Sequence, residues 1–312
     1  MSPAPLKKPR RPVQAAPAGI KKASLIQRII TGAVFVIVVL GAIWAGNTFM
    51  VLPLLMAVFG VLGTREFYRI VSPDMPKLPT AIGMFYAAAI PLIIFAVERW
   101  HPETNLLLGA GEQRAIVGFF YLTIIVLAAL MIWVAVNPAS KLRDACASFM
   151  GAVYLGVPLA CLMLIRDMGA GNEGLLLAIA MLFSIWATDS FAYLGGSLFG
   201  KHKLAPQISP KKSWEGLVAG AIGGIVFWYV VPLVFVGSAS WRAAVILGIV
   251  VTLTALLGDL FESRIKREAG VKDSGTLLPG HGGLLDRIDS LLLTAPILFI
   301  VFSVLGASLG LL

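Results

Sequence analysis

Long apolar runs separated by short polar segments make up most of this chain. Between Arg28 and Arg65 no charged residue occurs for 36 positions. A single helix of that length would measure about 54 Å, whereas the hydrocarbon core of a bilayer is about 30 Å thick. The pattern therefore predicts two shorter helices joined by a turn near Gly46 and Asn47.

Further apolar runs follow, and each is long enough to cross a bilayer as a helix. They are predicted at about residues 78–97, 115–137, 145–165, 174–198, 216–237, 242–261 and 288–312. The predicted fold class is an all-α, polytopic integral membrane protein with about nine transmembrane helices. Three regions are predicted: a disordered basic cytoplasmic tail (1–28), an N-terminal transmembrane bundle (29–173), and a C-terminal catalytic transmembrane region (174–312) with cytoplasmic loops 199–215 and 262–287.

Composition agrees with this class, because 58% of the residues are hydrophobic and 13% are charged. Soluble domains carry about 25% charged residues. The net charge of +9 raises the possibility of a nucleic-acid partner. However, if the N-terminus is cytoplasmic, 21 of the 25 Lys and Arg residues fall in segments on the cytoplasmic side. This bias follows the positive-inside rule, so we expect membrane lipids and no nucleic acid as partners.

Three aspartates lie within or at the start of the predicted spans: Asp189, Asp259 and Asp289. An ionisable side chain at the bilayer centre costs at least about 2.5–3.5 kcal/mol on insertion scales, so such residues usually face a cavity and have a function. The alternative is that each lies near the water boundary and is hydrogen-bonded to its neighbours.

The spacing of these acidic residues indicates which of them share a helix face. Asp259 shares one helix face with Glu262 or Ser263 and with Lys266, since these positions are three or four residues apart. Asp286 and Asp289 share a face of the next helix in the same way. If the two faces meet, Asp259, Asp286 and Asp289 form an acidic cup. An all-oxygen cup without His or Cys ligands suits Mg²⁺ or Mn²⁺ rather than Zn²⁺.

Basic residues flank the acids in both cytoplasmic loops, and we call this set the basic rim. It consists of Lys201, Lys203, Lys211 and Lys212 in one loop and Lys266, Arg267, Lys272 and Arg287 in the other. Metal-binding acids interleaved with Lys and Arg are what phosphoryl or nucleotidyl transfer requires, because cations neutralise phosphate charge. The alternative is topological charge bias or attraction to anionic lipid.

The segment PGHGG precedes the last span. Gly280, Gly282 and Gly283 permit positive φ and a close approach of the backbone to a ligand. Successive N–H groups before a helix form an anion site. His281 is a candidate phosphate donor or proton carrier, and the alternative is that it only shapes the loop.

Several segments together resemble a known family. The longest reads Ser263-x-Ile265-Lys266-Arg267, then Lys272-Asp273-x-Gly275, then Leu278-Pro279-x-His281-Gly282-Gly283-Leu284-x-Asp286-Arg287-Ile288-Asp289. It resembles the signature of phosphatidate cytidylyltransferases, also called CDP-diacylglycerol synthases. The segments SPKKSWEG from Ser209 and ATDSFAYLGG from Ala187 are also similar to that family.

The resemblance implies that phosphatidic acid and CTP react to give CDP-diacylglycerol and pyrophosphate, with Mg²⁺ as cofactor. It also implies a homodimer in the bacterial inner membrane, with the active site facing the cytoplasm. The expected metal ligands are Asp189, Asp259, Asp286 and Asp289. The expected catalytic residues are Lys266, Lys272, His281 and Asp286, and the expected phosphate-binding residues are Ser209, Lys211, Lys212, Arg267, Gly282, Gly283 and Arg287.

Three alternatives stay open. One is a related lipid cytidylyltransferase or kinase with a polyprenol or ether-lipid acceptor. Another is a cation-coupled transporter in which Asp189 and Asp259 bind the ion, which would leave PGHGG without a role. The last is a structural lipid-binding scaffold, in which neutralising the loop charges would be tolerated.

Overall fold

The computed structural model describes residues 25–46, 50–100, 110–169 and 172–309. Nine α-helices and one two-stranded sheet account for most of these residues. In chain order the elements are α1 (Leu25–Ala45), α2 (Val51–Val71), α3 (Lys77–Trp100), α4 (Ala110–Val136), α5 (Leu142–Arg166), α6 (Glu173–Phe199), β1 (Lys203–Ala205), β2 (Ser209–Ser213), α7 (Trp214–Val236), α8 (Trp241–Glu268) and α9 (Leu285–Leu309).

The predicted all-α, polytopic membrane class is confirmed. Within the described residues, eight helices are long and apolar enough to cross a membrane, and α4 contributes a shorter apolar helix over Tyr121–Val136. The two helices predicted between Arg28 and Arg65 are α1 and α2. α1 ends before Gly46, whose φ of 59° turns the chain, while Asn47 lies outside the described residues.

Several helix ends differ from the predicted bounds. α1 begins at Leu25, inside the segment predicted as a disordered tail, because Leu25 and Ile26 extend its apolar pattern across Arg28; residues 1–24 lie outside the described part of the chain. α8 continues to Glu268, past the predicted end at 261. Ion pairs four residues apart, such as Arg264 with Glu268, support this polar last part of the helix. The loop before α9 is therefore 269–284 rather than 262–287.

One apolar core joins α2, α5, α6, α8 and α9, and a second joins α3, α4 and α5. Leu155 and Leu159 of α5 are fully buried in the first core, together with Leu247 of α8 and Phe302 of α9. α1 lies at the edge, and most of its side chains are exposed, as expected of a helix that faces lipid. The first core includes helices from both predicted transmembrane regions, and the division at residue 173 stays a prediction.

The loop between α6 and α7 forms a hairpin, which the sequence analysis did not predict. β1 and β2 pair antiparallel, with Lys203 opposite Ser213 and Ala205 opposite Ser209. The Ser213 hydroxyl then accepts a hydrogen bond from the Gly216 N–H (3.1 Å) and caps the first turn of α7. This hairpin brings Lys212 beside Asp259 of α8.

Candidate active site

Three carboxylates meet where α8 and α9 pack together. One oxygen each from Asp259, Glu262 and Asp289 lies within 4.8 Å of the others. The two backbones are close at this point, because a Cβ added to Gly258 would lie 2.5 Å from the Asp289 carbonyl oxygen. We call Asp259, Glu262 and Asp289 the acidic cluster.

The acidic cluster has the chemistry of a divalent cation site. All its donors are carboxylate oxygens, which suit Mg²⁺ or Mn²⁺. Glu262 is only 1% exposed, and it forms an ion pair with the Lys266 ammonium. Within the described residues neither of its oxygens accepts a well-aligned hydrogen bond. Glu262 has one counter-charge, Lys266, and its convergence with Asp259 and Asp289 leaves negative charge that suits a bound cation.

Asp286 lies outside the acidic cluster, although the sequence analysis placed it in the acidic cup. Its Oδ1 accepts a hydrogen bond from Lys266 Nζ (2.6 Å), and its Oδ2 accepts from the backbone N–H groups of Ser274 (2.9 Å) and Gly283 (2.8 Å). These contacts hold Asp286 in the first turn of α9, where the helix dipole also favours a carboxylate. Glu262 takes the position in the cluster that the spacing argument had given to Asp286.

The PGHGG segment is a tight turn closed by a hydrogen bond from the Leu278 N–H to the Gly282 carbonyl (2.9 Å). Gly280 and Gly282 have φ of 81° and 87°, as predicted for these positions. Gly283 does not have positive φ. Glycine is required at position 283 for steric reasons, because a Cβ there would lie 2.5 Å from Glu66 Oε2. The Gly283 N–H already donates to Asp286 Oδ2, so at least one amide group of the turn points towards the protein interior.

His281 contacts the first helix. Its Nδ1 lies 2.9 Å from the Thr31 hydroxyl of α1, and Gly32 leaves room for the ring. Burial of the ring, together with the positive charges of Arg287 and Arg28, lowers the pKa of His281 and favours its neutral form. This contact joins α1 to the turn. The catalytic role expected for His281 stays a prediction.

The hairpin brings one residue of the basic rim directly to the acidic cluster. Lys212 Nζ lies 2.7 Å from Asp259 Oδ2. Arg267 instead donates to the backbone carbonyls of Val271 (3.1 Å) and Ile208 (3.4 Å), and so ties α8 to the hairpin. Of the other expected residues, Ser209 is half-buried, and Lys211, Arg287 and the expected catalytic residue Lys272 are exposed.

A cavity of about 200 Å³ opens beside these groups. Its charged lining residues are Asp189, Asp286, Arg287 and Asp289, and its apolar lining comes from side chains of α1, α2, α5, α6 and α9. Asp189, which was predicted as a metal ligand, lines this cavity but does not belong to the acidic cluster. The lining of this cavity thus combines charged groups with an apolar surface.

Two further polar groups at this end of the bundle were missed by sequence reasoning. Glu66 of α2 accepts hydrogen bonds from the loop before α9. Tyr154 of α5 packs edge-to-face on Phe261, and its buried hydroxyl has no hydrogen-bond partner among the described residues. Glu66 stands in the short polar segment REFYRI, to which the sequence analysis assigned no function, and Tyr154 stands in an apolar run that gave no signal.

Comparison with known proteins agrees with this arrangement. The sequence profile of the cytidylyltransferase family matches residues 26–305. The phosphatidate cytidylyltransferase of Thermotoga maritima is 39% identical over 175 residues, which cover 54% of this chain and 63% of the relative. That of Mycobacterium bovis is 41% identical over 175 residues, which cover 55% of each protein.

The enzyme of Rickettsia bellii, also a phosphatidate cytidylyltransferase, is 38% identical over 183 residues, which cover 55% of this chain and 78% of the relative. The chain spans less than two thirds of the length of the Thermotoga and Mycobacterium relatives. The family profile, in contrast, extends from α1 to the last helix, α9. The resemblance seen in the sequence is thereby confirmed, and the chain belongs to the cytidylyltransferase family.

Proposed function

We propose that this protein is a phosphatidate cytidylyltransferase, which transfers CMP from CTP to phosphatidic acid and releases CDP-diacylglycerol and pyrophosphate. The observation that carries the proposal is the acidic cluster, in which Asp289 lines a cavity with apolar walls and in which Lys212 and Lys266 contact the other two acids. Anionic phosphates and a hydrophobic tail both find matching surroundings there. The names of the relatives support the same reaction.

The acidic cluster fits a divalent cation, because its three carboxylates converge and Glu262 is buried without a well-aligned hydrogen bond. We propose that Asp259, Glu262 and Asp289 hold Mg²⁺, with Mn²⁺ as a substitute. When bound, the ion neutralises charge on the CTP phosphates and on the departing pyrophosphate. Asp189, on the cavity wall, is a candidate for contact with the same phosphates through water.

The positively charged side chains of the protein have a separate role. Lys212 contacts Asp259 from the hairpin, and Arg287 lines the cavity from the first turn of α9. We propose that the substrate phosphates lie between these two positive charges. Lys266 is held by Glu262 and Asp286, which fixes the position of its ammonium group. These residues bind and orient the two phosphate-bearing substrates, which is the main contribution a protein makes to transfer at phosphorus.

The chemical step requires little proton transfer. The phosphate of phosphatidic acid is already ionised, so its oxygen attacks the α-phosphorus of CTP without a general base. A new P–O bond forms at the α-phosphorus as the bond to the bridging oxygen breaks, and pyrophosphate leaves with that electron pair. His281 is not needed as a base in this scheme.

The lipid substrate would enter from the membrane. We propose that its acyl chains lie along the apolar walls built by α1, α2, α5 and α6, while its phosphate faces the acidic cluster. The asymmetry of Lys and Arg supports a cytoplasmic position for this end of the bundle and thus a site open to CTP. A homodimer in the bacterial inner membrane completes the proposal.

Position-specific labelling of CTP tests the function. Purified protein in detergent is incubated with Mg²⁺, phosphatidic acid, and CTP labelled at either the α- or the γ-phosphate. The proposal expects α-label in the lipid product and γ-label in pyrophosphate. Transfer of the γ-label to lipid would indicate a kinase. A polyprenyl phosphate and an ether-linked phosphatidic acid, tested in parallel, decide among acceptors, and no labelled lipid from any acceptor would reject the proposal.

A further inference from the structure

Glu66 is a buried carboxylate on α2 that the reaction scheme does not use. It is 5% exposed. Its Oε2 accepts a hydrogen bond from the Ser274 hydroxyl (3.1 Å) and another from the Leu285 N–H (2.9 Å). Leu285 is the first residue of α9, so the carboxylate caps this helix from a different helix.

The loop before α9 is shaped around this carboxylate. A Cβ added to Gly275 would lie 2.5 Å from Glu66 Oε1, and a Cβ added to Gly283 would lie 2.5 Å from Oε2. Both distances are too short for any side chain. Gly275 and Gly283 therefore make room for Glu66, and the segment 274–285 encloses its carboxylate.

Ser274 connects Glu66 to the residues of the acidic cluster. Its N–H donates to Asp286 Oδ2 (2.9 Å), and its hydroxyl accepts from the Asp286 N–H (3.3 Å). The other oxygen of Asp286 holds Lys266 Nζ (2.6 Å), which also pairs with Glu262. An uninterrupted series of polar contacts thus runs from α2 through the loop to the acidic cluster.

We propose that Glu66 is a positioning residue for the reaction. From α2 it fixes the segment 274–285 and, through Ser274, the orientation of Asp286 and Lys266. This inference rests on the proposed function for its kinetic consequence, but the position of the loop can be measured without activity. It also assigns a task to α2, which belongs to the N-terminal half of the chain and supplies no ligand to the acidic cluster.

Substitutions at Glu66 separate its two hydrogen bonds from its charge. Both hydrogen bonds are accepted by the same oxygen, Oε2. Glu66→Gln with its amide oxygen in that position keeps both hydrogen bonds. Glu66→Ala removes them. A displacement of catalytic groups by about 1 Å costs on the order of 100-fold in turnover. We expect a loss of that order in kcat for Glu66→Ala and less than about 10-fold for Glu66→Gln, with the KM for CTP nearly unchanged in both.

Asp144→Asn is the matched control. Asp144 is also a buried carboxylate (4% exposed) in the first turn of a helix, α5, and it also accepts a hydrogen bond from a serine hydroxyl, that of Ser72 (2.7 Å). Its side-chain partners are Ser72 and Arg143, both outside the segment 274–285. Its substitution measures the general effect of changing a buried carboxylate in this bundle, and we expect wild-type turnover per folded protein.

Two measurements on the full chain in detergent decide the proposal: kcat per folded protein, and amide hydrogen exchange of the peptide containing 274–285. The proposal expects faster exchange and lower kcat in Glu66→Ala, wild-type exchange in Asp144→Asn, and intermediate kcat in Glu66→Gln. Equal exchange of the loop in Glu66→Ala and Asp144→Asn would overturn it. If the wild type itself shows no turnover, the proposed function fails, and the exchange comparison alone decides the positioning role.

A double-mutant cycle excludes a merely structural role. Because Ser274 links Glu66 to Asp286, the effects of Glu66→Ala and Ser274→Ala on kcat should overlap, so that the double variant is little worse than either single one. Asp144→Asn combined with Ser274→Ala should give the product of the separate effects. Independent effects of Glu66→Ala and Ser274→Ala would contradict transmission through Ser274.

Discussion

At the scale of single residues, the site depends on one ammonium group placed between two carboxylates. Lys266 Nζ contacts Glu262 and lies 2.6 Å from Asp286 Oδ1, and its side chain is 11% exposed. Removing one member of such a buried group leaves the others without a counter-charge. Lys266 therefore stabilises the fold, in addition to any role in binding a substrate.

Lys266→Met is expected to lower the free energy of unfolding by about 3 kcal/mol or more, since it leaves Glu262 and Asp286 buried without their shared cation. Chemical denaturation in detergent measures this. Lys211→Met is the control, because Lys211 is exposed on β2, and we expect a change of less than about 0.5 kcal/mol. Equal losses for both variants would mean that the buried position of Lys266 has no energetic consequence.

At the scale of helices and strands, the acidic cluster exists because α8 and α9 cross closely. Gly258 lies directly against the Asp289 backbone, and this contact brings Asp259 of α8 beside Asp289 of α9. The separation of the carboxylates is thus determined by a neighbouring glycine and not by the acids themselves.

Gly258→Ala is expected to reduce turnover by about 100-fold, because the added methyl group pushes α9 away and separates the carboxylates. Pyrophosphate release per folded protein measures the effect. Gly41→Ala in α1 is the control, since a Cβ there meets nothing within 4 Å. In that open position alanine should be neutral or stabilise the helix by up to about 1 kcal/mol. Wild-type turnover in Gly258→Ala would contradict the importance of the crossing.

The β1–β2 hairpin ends at Ser213, which is also the N-cap residue of α7. Ser213→Ala removes the hydroxyl that accepts from the Gly216 N–H, and we expect a loss of about 1 kcal/mol in the free energy of unfolding. Ser197→Ala is the comparison, because its exposed hydroxyl donates to a carbonyl of its own helix and caps nothing. If the two variants are equally stable, Ser213 is not an effective cap.

At the scale of the whole molecule, the sequence predicts the helices well because their signal is local. A run of apolar residues as long as a bilayer is thick indicates a span without knowledge of its neighbours. Helix ends are predicted less well, since α8 continues through the polar residues Glu262–Glu268, where pairs such as Arg264 with Glu268 support it.

Contacts between distant helices could not be predicted in the same way. Spacing places Asp286 and Asp289 on one face, but the rotation of α9 against α8 decides which of them meets Asp259, and packing at Gly258 sets that rotation. Glu66 lies more than 200 positions before Ser274. Its role follows from the tertiary fold, and no pattern within a single sequence encodes such a pairing.

The most direct test of the account is pyrophosphate release by the purified protein with CTP, phosphatidic acid and Mg²⁺, measured beside Asp289→Asn. The account predicts pyrophosphate and CDP-diacylglycerol in equal amounts from the wild type, dependence on the divalent cation, and a rate lower by about 100-fold or more in folded Asp289→Asn, since removing a metal ligand should cost at least as much as removing its outer support. Metal-independent turnover, or a wild-type rate in Asp289→Asn, would contradict it.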